Sequence, residues 1–384
     1  MDFAVSEEHQ ALRRAVAKIA ADFGGAYYAR KAEAREFPSE LWQALGRYGY
    51  LGVAIPEAYG GGGAGLAELA LVCEESAAQG CPLLLMIVSS AISAEVIGAY
   101  GTEEQRGTWL PGLADGTRKV VFAITEPDAG SNTHRLSTTA VRDGDGYRLD
   151  GQKYYISGVN EADAILVVAR TGTEERTGDA ALSLFLVDTD APGLTAQPIP
   201  VSVALPERQF TLFLDGVRVG ADRLVGAADE GFRQVFHGLN PERVTGAALC
   251  VGIGRYALAR ASRYANDRSV WGAPIGSHQG ISHPLASAKI EVELAALMTA
   301  KAAWLHDQGE PAGEAANMAK YAAAEAALAA LDAAIQSHGG NGLATEYGLI
   351  PLWGLARLLR IAPVSREMIL NYVAQHSLGL PRSY

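Results

Sequence analysis

The sequence predicts a multidomain α+β fold in three parts: an N-terminal helical domain, a central antiparallel β-barrel or sandwich domain, and a C-terminal helical bundle. Helical periodicity dominates up to about residue 115 and returns after residue 226. Between these regions the chain carries short apolar runs separated by Asp-Gly pairs, which is typical of strands joined by tight turns. With 384 residues, 49% of them hydrophobic, the chain is long enough to form several cores.

Residues 1–115 are the predicted N-terminal helical domain. Apolar side chains at Leu12, Val16 and Ile19 follow helical spacing, and Ser6 is suited to cap the start of this first helix. Further along, residues 83–92 are strongly apolar. They could line a ligand pocket or pack in the core, and the pattern alone favours packing.

Residues 116–226 are the predicted central β domain. Apolar runs at 164–169, 182–187 and 210–214 predict strands. Asp-Gly pairs supply the positive φ angles that tight hairpins require. Hairpins are therefore predicted at the four pairs, which begin at Asp143, Asp145, Asp150 and Asp215.

Residues 227–384 are the predicted C-terminal four-helix bundle. Alanine-rich stretches predict helices over 244–266, 285–306 and 314–338, the last ending at Gly339-Gly340. Asn240 and Pro241 have the residue types of a helix start, which would place Glu242 at the positive end of the helix dipole. Taken alone, Glu242 is then either a carboxylate that stabilises a helix start or a catalytic base.

The composition bears on partners and location. The net charge is −11 with no basic block, which argues against nucleic acid or an anionic membrane as a partner. No apolar run is long enough to span a bilayer, and the N-terminal residues do not resemble a secretory signal, so a cytoplasmic protein is predicted. The three cysteines lack metal-ligand spacing, so neither a disulfide framework nor a metal site is expected.

Two segments of the central domain have side chains suited to ligand binding. The sequence Phe-Ala-Ile-Thr-Glu-Pro-Asp-Ala-Gly-Ser-Asn (122–132) leaves a predicted strand and enters a loop rich in hydroxyls and small residues. Such a loop suits a polar, planar, phosphate-bearing ligand, although an ordinary turn would look similar. In the second segment, Gly-Gln-Lys-Tyr-Tyr-Ile-Ser-Gly (151–158), strand alternation predicts that Tyr155 and Ser157 share one face.

These segments resemble the signatures of the acyl-CoA dehydrogenase family. The first matches its Thr-Glu-Pro-x-Ala-Gly-Ser motif, with Asn132 in place of the usual aspartate, and the second matches the motif that follows after a hairpin. Residues 264–275 with Gln279, and the sequence Gln-Ser-His-Gly-Gly-Asn-Gly (336–342), match later motifs in the same order. The resemblance spans nearly the whole chain and agrees with the three-part layout.

The resemblance implies an acyl-CoA substrate, non-covalently bound FAD between the β domain and the bundle, and an electron-transfer flavoprotein as acceptor. It also implies a homotetramer, built as a dimer of dimers, in which a neighbouring subunit completes each FAD site. The residues that it assigns to FAD are Phe122, Ile124, Thr125, Ser131, Tyr155, Ser157, Arg268, Trp271, Gln279, Gln336, Gly339, Gly340, Ser365 and Glu367. Among these, Arg268, Trp271 and Gln279 would reach the cofactor of the partner subunit.

The position of the catalytic base separates groups within this family. Many relatives carry it in a motif that follows the Gly-Gly-Asn-Gly sequence, and a count without gaps places that position on Pro363. A second group, which includes isovaleryl-CoA dehydrogenase, places the glutamate directly before an arginine of the C-terminal domain, as in Glu242-Arg243. The resemblance therefore implies Glu242 as the base, with Glu367 as the alternative. Asn240, Arg243 and Ser131 would contact the substrate.

Pro363 raises an alternative to an active dehydrogenase. Relatives use the backbone N–H at this position to hold the thioester oxygen, and proline has none to donate. Loss of one such donor costs about 2.7 to 4 kcal/mol in other enzymes. A non-catalytic or half-site subunit, or a family member recruited to enoyl reduction or oxidase chemistry, therefore stays open beside dehydrogenation to the 2,3-enoyl-CoA. The acyl group, from fatty acid or branched-chain metabolism, is not specified by any motif.

Overall fold

The computed structural model describes residues 5–173 and 180–382, and its N-terminal part is helical as predicted. Ser6 caps the first helix, since its Oγ accepts a hydrogen bond from His9 N at 3.1 Å. A π-helical segment over Met86–Ser93 precedes the fourth helix. The helices are α1 (Glu7–Ala34), α2 (Ser39–Arg47), α3 (Leu66–Ala78), α4 (Ala94–Tyr100) and α5 (Glu103–Asp115).

The central part is an eight-stranded sheet. Its order is β6-β7-β3-β2-β4-β5-β8, with β1 paired to β4 off this path. Most pairings are antiparallel as predicted, but β1 and β2 both run parallel to β4, and the sequence did not indicate these parallel pairings. The strands are β1 (Val120–Ala123), β2 (Thr139–Asp143), β3 (Gly146–Ser157), β4 (Ala164–Thr173), β5 (Ala180–Asp188), β6 (Leu194–Ile199), β7 (Gln209–Val219) and β8 (Leu224–Val225).

Only one of the predicted Asp-Gly hairpin regions is a hairpin. Asp143 pairs with Gly146 across a two-residue loop in which Gly144 has a φ of 63°. The predictions at Asp150 and Asp215 are wrong, because both pairs lie inside the β3–β7 ladder. There the register shifts, and Asp150 Oδ1 accepts a hydrogen bond from Gly216 N at 2.8 Å. The extra residues form a bulge rather than a turn.

The C-terminal part is a bundle of long helices. The close approach of α6 to α3 depends on Gly252, since a Cβ added there would lie 2.2 Å from Glu74 O. The sequence Gly-Ile-Gly-Arg-Tyr-Ala (252–257) matches the Gly-x-Gly-x-x-Ala pattern of dinucleotide-binding loops, but here it lies inside α6 and its first glycine makes a helix contact. The elements are α6 (Gly231–Asp267), α7 (Gln279–Asp307), α8 (Gly313–His338), α9 (Leu349–Ile361) and α10 (Arg366–Tyr372), with the short strands β9 (Ser269–Val270) and β10 (Ala273–Pro274).

The prediction that a helix begins at Asn240-Pro241 is wrong. Helix α6 begins at Gly231 and continues through Pro241, which is buried. Proline has no N–H for the carbonyl of His237, four residues earlier, but the packing of α6 against α3 and α8 outweighs this local loss. Glu242 therefore lies inside a helix rather than at its positive end, and the helix dipole does not favour its ionised form.

The π-helical segment 86–93 joins the sheet to the bundle. Ser89 Oγ accepts a hydrogen bond from Val120 N of β1 at 3.2 Å. On the other side, a Cβ added at Gly246 of α6 would lie 3.8 Å from Ile87 Cδ1. Most apolar side chains of residues 83–92 are fully buried, so core packing accounts for this run. The segment fixes the spacing between the strand that leads into the Thr-Glu-Pro loop and the helix that carries Glu242.

Candidate active site

A buried ion pair holds the two sequence motifs of the central domain together. Lys153 Nζ lies 2.8 Å from Glu126 Oε1, and both side chains are almost completely buried. Lys153 also donates to the carbonyl of Ile124 at 3.0 Å, and Tyr154 N donates to the carbonyl of Thr125 at 2.8 Å. The segment after β1 is thereby fixed beside the end of β3.

The Glu126 carboxylate also organises the loop that follows. It accepts hydrogen bonds from Ser137 N at 2.6 Å, from Ser137 Oγ at 2.7 Å and from Thr138 N at 3.0 Å. Burial raises the pKa of this carboxyl, but the charge of Lys153 and these donors outweigh burial and bring it down to about 2. Glu126 is therefore an ionised structural group that secures both ends of the 126–137 loop.

Tyr155 and Ser157 lie at the end of β3, next to that segment. The pairing of β3 with β7 shifts register between Lys153 and Ile156, so the regular alternation assumed for these residues is interrupted. Tyr155 adopts a left-handed φ of 56°, and its side chain is 53% exposed. Ser157 Oγ donates to Gln209 Oε1 at 2.9 Å. Positive φ is uncommon for a bulky residue and is often associated with function.

The remaining central-domain candidates lie around this edge. Phe122 is buried at the end of β1, whereas Ile124 and Thr125 are partly exposed. Ser131 is exposed on the loop, and the nearby His134 ring stacks on Phe232 of α6 at a centroid distance of 4.9 Å. An uncovered aromatic ring, a serine hydroxyl and a polar loop fit the planar, heteroatom-rich ring of FAD.

Glu242 occupies a mostly enclosed position on α6 and retains partial solvent access. Burial raises the pKa of its carboxyl to about 7, against the opposing charges of Arg243 and Lys320. A carboxyl with a pKa near neutral pH in an accessible position has the properties of a general base. At neutral pH a substantial part of it is ionised and able to accept a proton.

Arg243 is buried next to Glu242 and has unused hydrogen-bonding capacity. Its Nη1 donates to Asn240 Oδ1 at 2.8 Å, while its buried Nε has no hydrogen-bond partner among the described residues. Burial lowers the pKa of this guanidinium, against the charges of Glu242 and Tyr372. A buried donor without a partner is costly, so this arrangement suits a ligand oxygen or anion.

The segment between α9 and α10 contains Pro363, where a direct count places the base of many relatives. Ser365 caps α10, since its Oγ accepts from Met368 N at 3.3 Å. Glu367 follows in the first turn, 73% exposed and 3.6 Å from Arg366 Nη1. Glu367 therefore lacks the enclosure that characterises Glu242.

The other FAD candidates lie at the opposite end of the bundle. Arg268 directly follows α6, so about 39 Å of helix separates it from Glu242 at 1.5 Å per residue. Trp271 is 90% exposed with a left-handed φ of 53°, and Gln279 begins α7. A groove of ≈ 440 Å³ lies between α7 and the end of α8, with Gln336 in its lining.

Gly339 and Gly340 follow α8 at the same end of the bundle. Gly339 ends the helix with a φ of 59°, as the sequence predicted, and both glycines are exposed. The structure thus divides the candidate FAD residues into three groups: one beside Tyr155, one around this groove, and Ser365 with Glu367 at the start of α10.

Several sequence predictions concern residues outside this site. Cys73, Cys81 and Cys250 are free and buried. Among residues 5–173 and 180–382, no group of three or more His, Cys, Asp or Glu side chains could hold a metal ion. Over the same residues, no helix is long and apolar enough to cross a membrane. The predicted cytoplasmic location stays a prediction.

Three family models together match almost the whole chain. The N-terminal domain model of acyl-CoA dehydrogenases matches residues 6–117, the middle domain model residues 121–217 and the C-terminal domain model residues 229–378. The chain belongs to the acyl-CoA dehydrogenase family. It is an FAD-dependent acyl-CoA dehydrogenase.

Individual relatives agree with the assignment to this family. Acyl-CoA dehydrogenase FadE12 of Mycobacterium tuberculosis (strain ATCC 25618 / H37Rv) is 58% identical over 384 residues, covering 100% of this chain and 99% of its own. The structure of a glutaryl-coenzyme A dehydrogenase with glutaryl-CoA has a TM-score of 0.94 at 31% identity, covering 100% of this chain and 98% of the other. A 3-(aryl)acrylate reductase of Clostridium sporogenes is 30% identical over 386 residues, covering 97% of this chain and 99% of its own.

Sequence reasoning missed the roles of Glu126, Lys153, Gln209 and Lys320. Glu126 and Lys153 lie within the recognised motifs, so their identity was visible although their pairing was not. Gln209 and Lys320 lie outside the motif segments. Lys320 was nevertheless detectable as a single cation in an alanine-rich helical stretch, where a buried charge requires partners.

Proposed function

We propose that the protein removes the α-proton of an acyl-CoA thioester with Glu242 as the base, giving the 2,3-enoyl-CoA. The observation that carries this proposal is the enclosed but accessible Glu242 carboxyl, with its pKa raised to about 7. The exposed Glu367 is the weaker candidate, because its side chain lacks the enclosure that surrounds Glu242. FAD, when bound, supplies the acceptor for the β-hydrogen and its electron pair.

The FAD ring would be held at the edge formed by the segment after β1 and the end of β3. Phe122, Ile124 and Thr125 would form one side, while Tyr155 and Ser157 would form the other. The ion pair of Glu126 with Lys153 supports this assignment, since it fixes the relative position of the two segments without placing a charge at the exposed edge. Ser131 would lie where the loop leads towards the CoA arm.

Arg243 and Asn240 would orient the substrate. The unpartnered Nε of buried Arg243 supports a contact with an oxygen of the thioester or of the CoA arm. Asn240 fixes the guanidinium through its 2.8 Å hydrogen bond. Pro363 provides no N–H to the thioester oxygen, so we infer that side-chain donors contribute more to its stabilisation here than in relatives with a backbone donor.

The residues at the far end of the bundle would serve the FAD site of a neighbouring subunit. Their separation from Glu242 along α6 supports this assignment, as does the high exposure of Trp271 in a single chain. The assembly proposed is a homotetramer made of two dimers, with an electron-transfer flavoprotein as the acceptor. Light scattering should give a mass four times the 40.4 kDa of one chain.

The test of the base uses Glu242→Gln, with Glu367→Gln as the matched control. Purified FAD-loaded enzyme is mixed anaerobically with a panel of acyl-CoA thioesters, and bleaching of the flavin absorbance is followed. We expect Glu242→Gln to lower the bleaching rate at least about 1,000-fold and Glu367→Gln to stay within about threefold of wild type. Unchanged bleaching by Glu242→Gln, or its loss in Glu367→Gln alone, would overturn the assignment. The panel also identifies the acyl group.

A second candidate function is enoyl reduction, favoured by the 30% identity to a 3-(aryl)acrylate reductase. Chemically reduced enzyme mixed anaerobically with enoyl-CoA thioesters or free aryl-acrylates would then reoxidise rapidly. Saturated acyl-CoA thioesters would leave the oxidised enzyme unchanged.

The half-site alternative predicts that the purified chain alone lacks stoichiometric FAD and is not bleached by any acyl-CoA. Rapid oxygen consumption by the reduced enzyme would instead indicate an oxidase.

A further inference from the structure

Lys320 is a buried cation in the N-terminal third of α8, close to the proposed base. Its side chain is only 2% exposed. The ammonium donates to the carbonyl of Arg360 at 3.3 Å and to the carbonyl of Val364. These two carbonyls lie on either side of Pro363, so one side chain connects α8 to both ends of the segment that replaces the base loop of many relatives.

The groups that face Lys320 come from two neighbouring helices. From α6 they are Glu242, Arg243 and Cys250, and from α10 the group is Glu367. Cys250 is a buried thiol whose pKa burial raises to about 12, so it is neutral at physiological pH. Glu367 is exposed and screened by water. Glu242 is therefore the enclosed carboxylate available to balance the charge of Lys320.

Among the described residues, the hydrogen-bond acceptors of Lys320 are two carbonyls, which do not compensate its charge. Burial lowers the pKa of this lysine to about 8, so it is charged at neutral pH. Arg243 adds a second buried cation, so the surroundings of Glu242 are electropositive even when its carboxylate is ionised. Such surroundings favour the ionised carboxylate, which is the form that accepts a proton. Burial alone would push the carboxyl towards its neutral and inactive form.

We propose that Lys320 is a positioning residue for Glu242: its ammonium holds the segment around Pro363 in place and keeps the neighbouring carboxylate ionised for proton abstraction. This inference rests on the proposed function, in which Glu242 is the base. It assigns two effects to one side chain. The hydrogen bonds set the position of the segment, and the charge sets the pH range over which Glu242 works.

Three substitutions separate the charge of Lys320 from its hydrogen bonds. Lys320→Met removes both the charge and the donors, whereas Lys320→Gln removes the charge and keeps a donor for the carbonyls. Both should shift the acid limb of the rate of flavin bleaching to higher pH, by about one pH unit. Lys320→Arg keeps the charge and should leave the limb near its wild-type position. Lys301→Met is the matched control, since Lys301 is an exposed lysine on α7 of the same bundle.

The experiment measures anaerobic bleaching by a saturating acyl-CoA from pH 5.5 to 10 in stopped flow. A second readout follows protonation of the Glu242 carboxyl by infrared titration without substrate, with the spectrum of Glu242→Gln subtracted. We expect Lys320→Gln to be about tenfold slower than wild type at pH 6 and within about threefold at pH 9.5. The infrared midpoint should move upward by the same amount.

Three results would overturn the inference. Equal loss of rate at every pH, with an unchanged infrared midpoint, would mean that Lys320 acts only as a structural clamp. An unchanged limb in both neutral variants would exclude any effect on Glu242. Failure of both neutral variants to fold, while Lys320→Arg folds, would mean that the charge of Lys320 contributes to stability alone.

Failure of the proposed function can be distinguished from failure of this inference. If Glu242→Gln still bleaches normally, the proposed base is wrong, but the infrared midpoint of the Lys320 variants still reports whether Lys320 changes the pKa of Glu242.

Discussion

Lys153 and Glu126 form an almost fully buried ion pair, with Nζ and Oε1 2.8 Å apart, between the two motifs that characterise the central domain. The Glu126 carboxylate also accepts hydrogen bonds from Ser137 and Thr138, so its charge is satisfied by several donors. Buried ion pairs are not generally stabilising compared with apolar residues, because desolvation offsets the attraction. The main structural role of this pair is therefore to fix the 126–137 loop in one position relative to the end of β3.

Removing one partner of this pair should destabilise the folded protein. Glu126→Gln leaves the Lys153 ammonium buried without its carboxylate, so we expect the free energy of unfolding to fall by about 3–5 kcal/mol. FAD retention should fall with it, since the loop and β3 lose their common anchor. Urea unfolding with FAD release followed by fluorescence measures both. The control is Arg218→Met, which removes an exposed ion pair with Asp143 and should cost less than about 1 kcal/mol.

The same carboxyl predicts how stability depends on acid. The pKa of Glu126 is held down to about 2 in the folded protein, below the usual value of 4.5. Its contribution is therefore present above pH 4.5 and is lost as pH falls towards 2. We expect the difference in unfolding free energy between wild type and Glu126→Gln to be constant from pH 7 to 5 and to shrink below pH 4.5. A difference that stays constant down to pH 3 would show that Glu126 does not carry this charge.

The sequence predicted the three-part fold because periodicity and turn residues are local properties. It failed where non-local packing outweighs a local signal. Asn240 and Pro241 have the residue types of a helix start, but burial of α6 among its neighbours extends the helix back to Gly231. The Asp-Gly pairs at Asp150 and Asp215 form a bulge rather than turns, because the register between β3 and β7 is set by the whole ladder.

The candidate site could be predicted from motifs only as far as residue identity. Glu126 and Lys153 are 27 residues apart and meet only when β3 lies beside the segment after β1, so spacing gave no indication of their pairing. Lys320 and the carbonyl of Val364 are separated by 44 residues, and a carbonyl group has no sequence signature. The pKa of Glu242 likewise depends on burial by several helices, which no local pattern encodes.

Glu242 should lower the free energy of unfolding at the pH values where its carboxylate is ionised and could act as a base. Below pH 4.5 its carboxyl is neutral in both the folded and the unfolded protein. The folded protein holds the pKa of this carboxyl at about 7, so between pH 4.5 and 7 the unfolded chain loses a proton that the folded protein keeps. The free energy of unfolding therefore falls as pH rises through this range. Glu242→Gln mimics the neutral form. We therefore expect it to be more stable than wild type at pH 8, on the order of 1–3 kcal/mol, and nearly equal at pH 4.5. Thermal unfolding at the two pH values, with FAD saturating, measures this difference.

Lower stability of Glu242→Gln at pH 8 would contradict the raised pKa. Glu367→Gln serves as the control, because its side chain is 73% exposed and the substitution should change stability little at either pH.

Arg268 and Glu242 should act in different subunits of the same FAD site. Glu242 lies inside α6 and Arg268 just after its end, about 39 Å further along the helix, so a site that uses both is expected to take Glu242 from one chain and Arg268 from its partner. Glu242→Gln should abolish bleaching while FAD stays bound, and Arg268→Met should weaken FAD binding. When the two variants are co-expressed, a mixed dimer contains one site with both defects and one site with none.

Random mixing then predicts that about one quarter of the sites recover wild-type bleaching, although neither variant alone has activity at limiting FAD. Differently tagged chains allow the mixed assemblies to be isolated, and bleaching per bound FAD is measured in each. Co-expression of Glu242→Gln with itself, carrying both tags, is the control for the purification. Absence of recovery in isolated mixed assemblies would show that Arg268 serves the FAD site of its own chain or none.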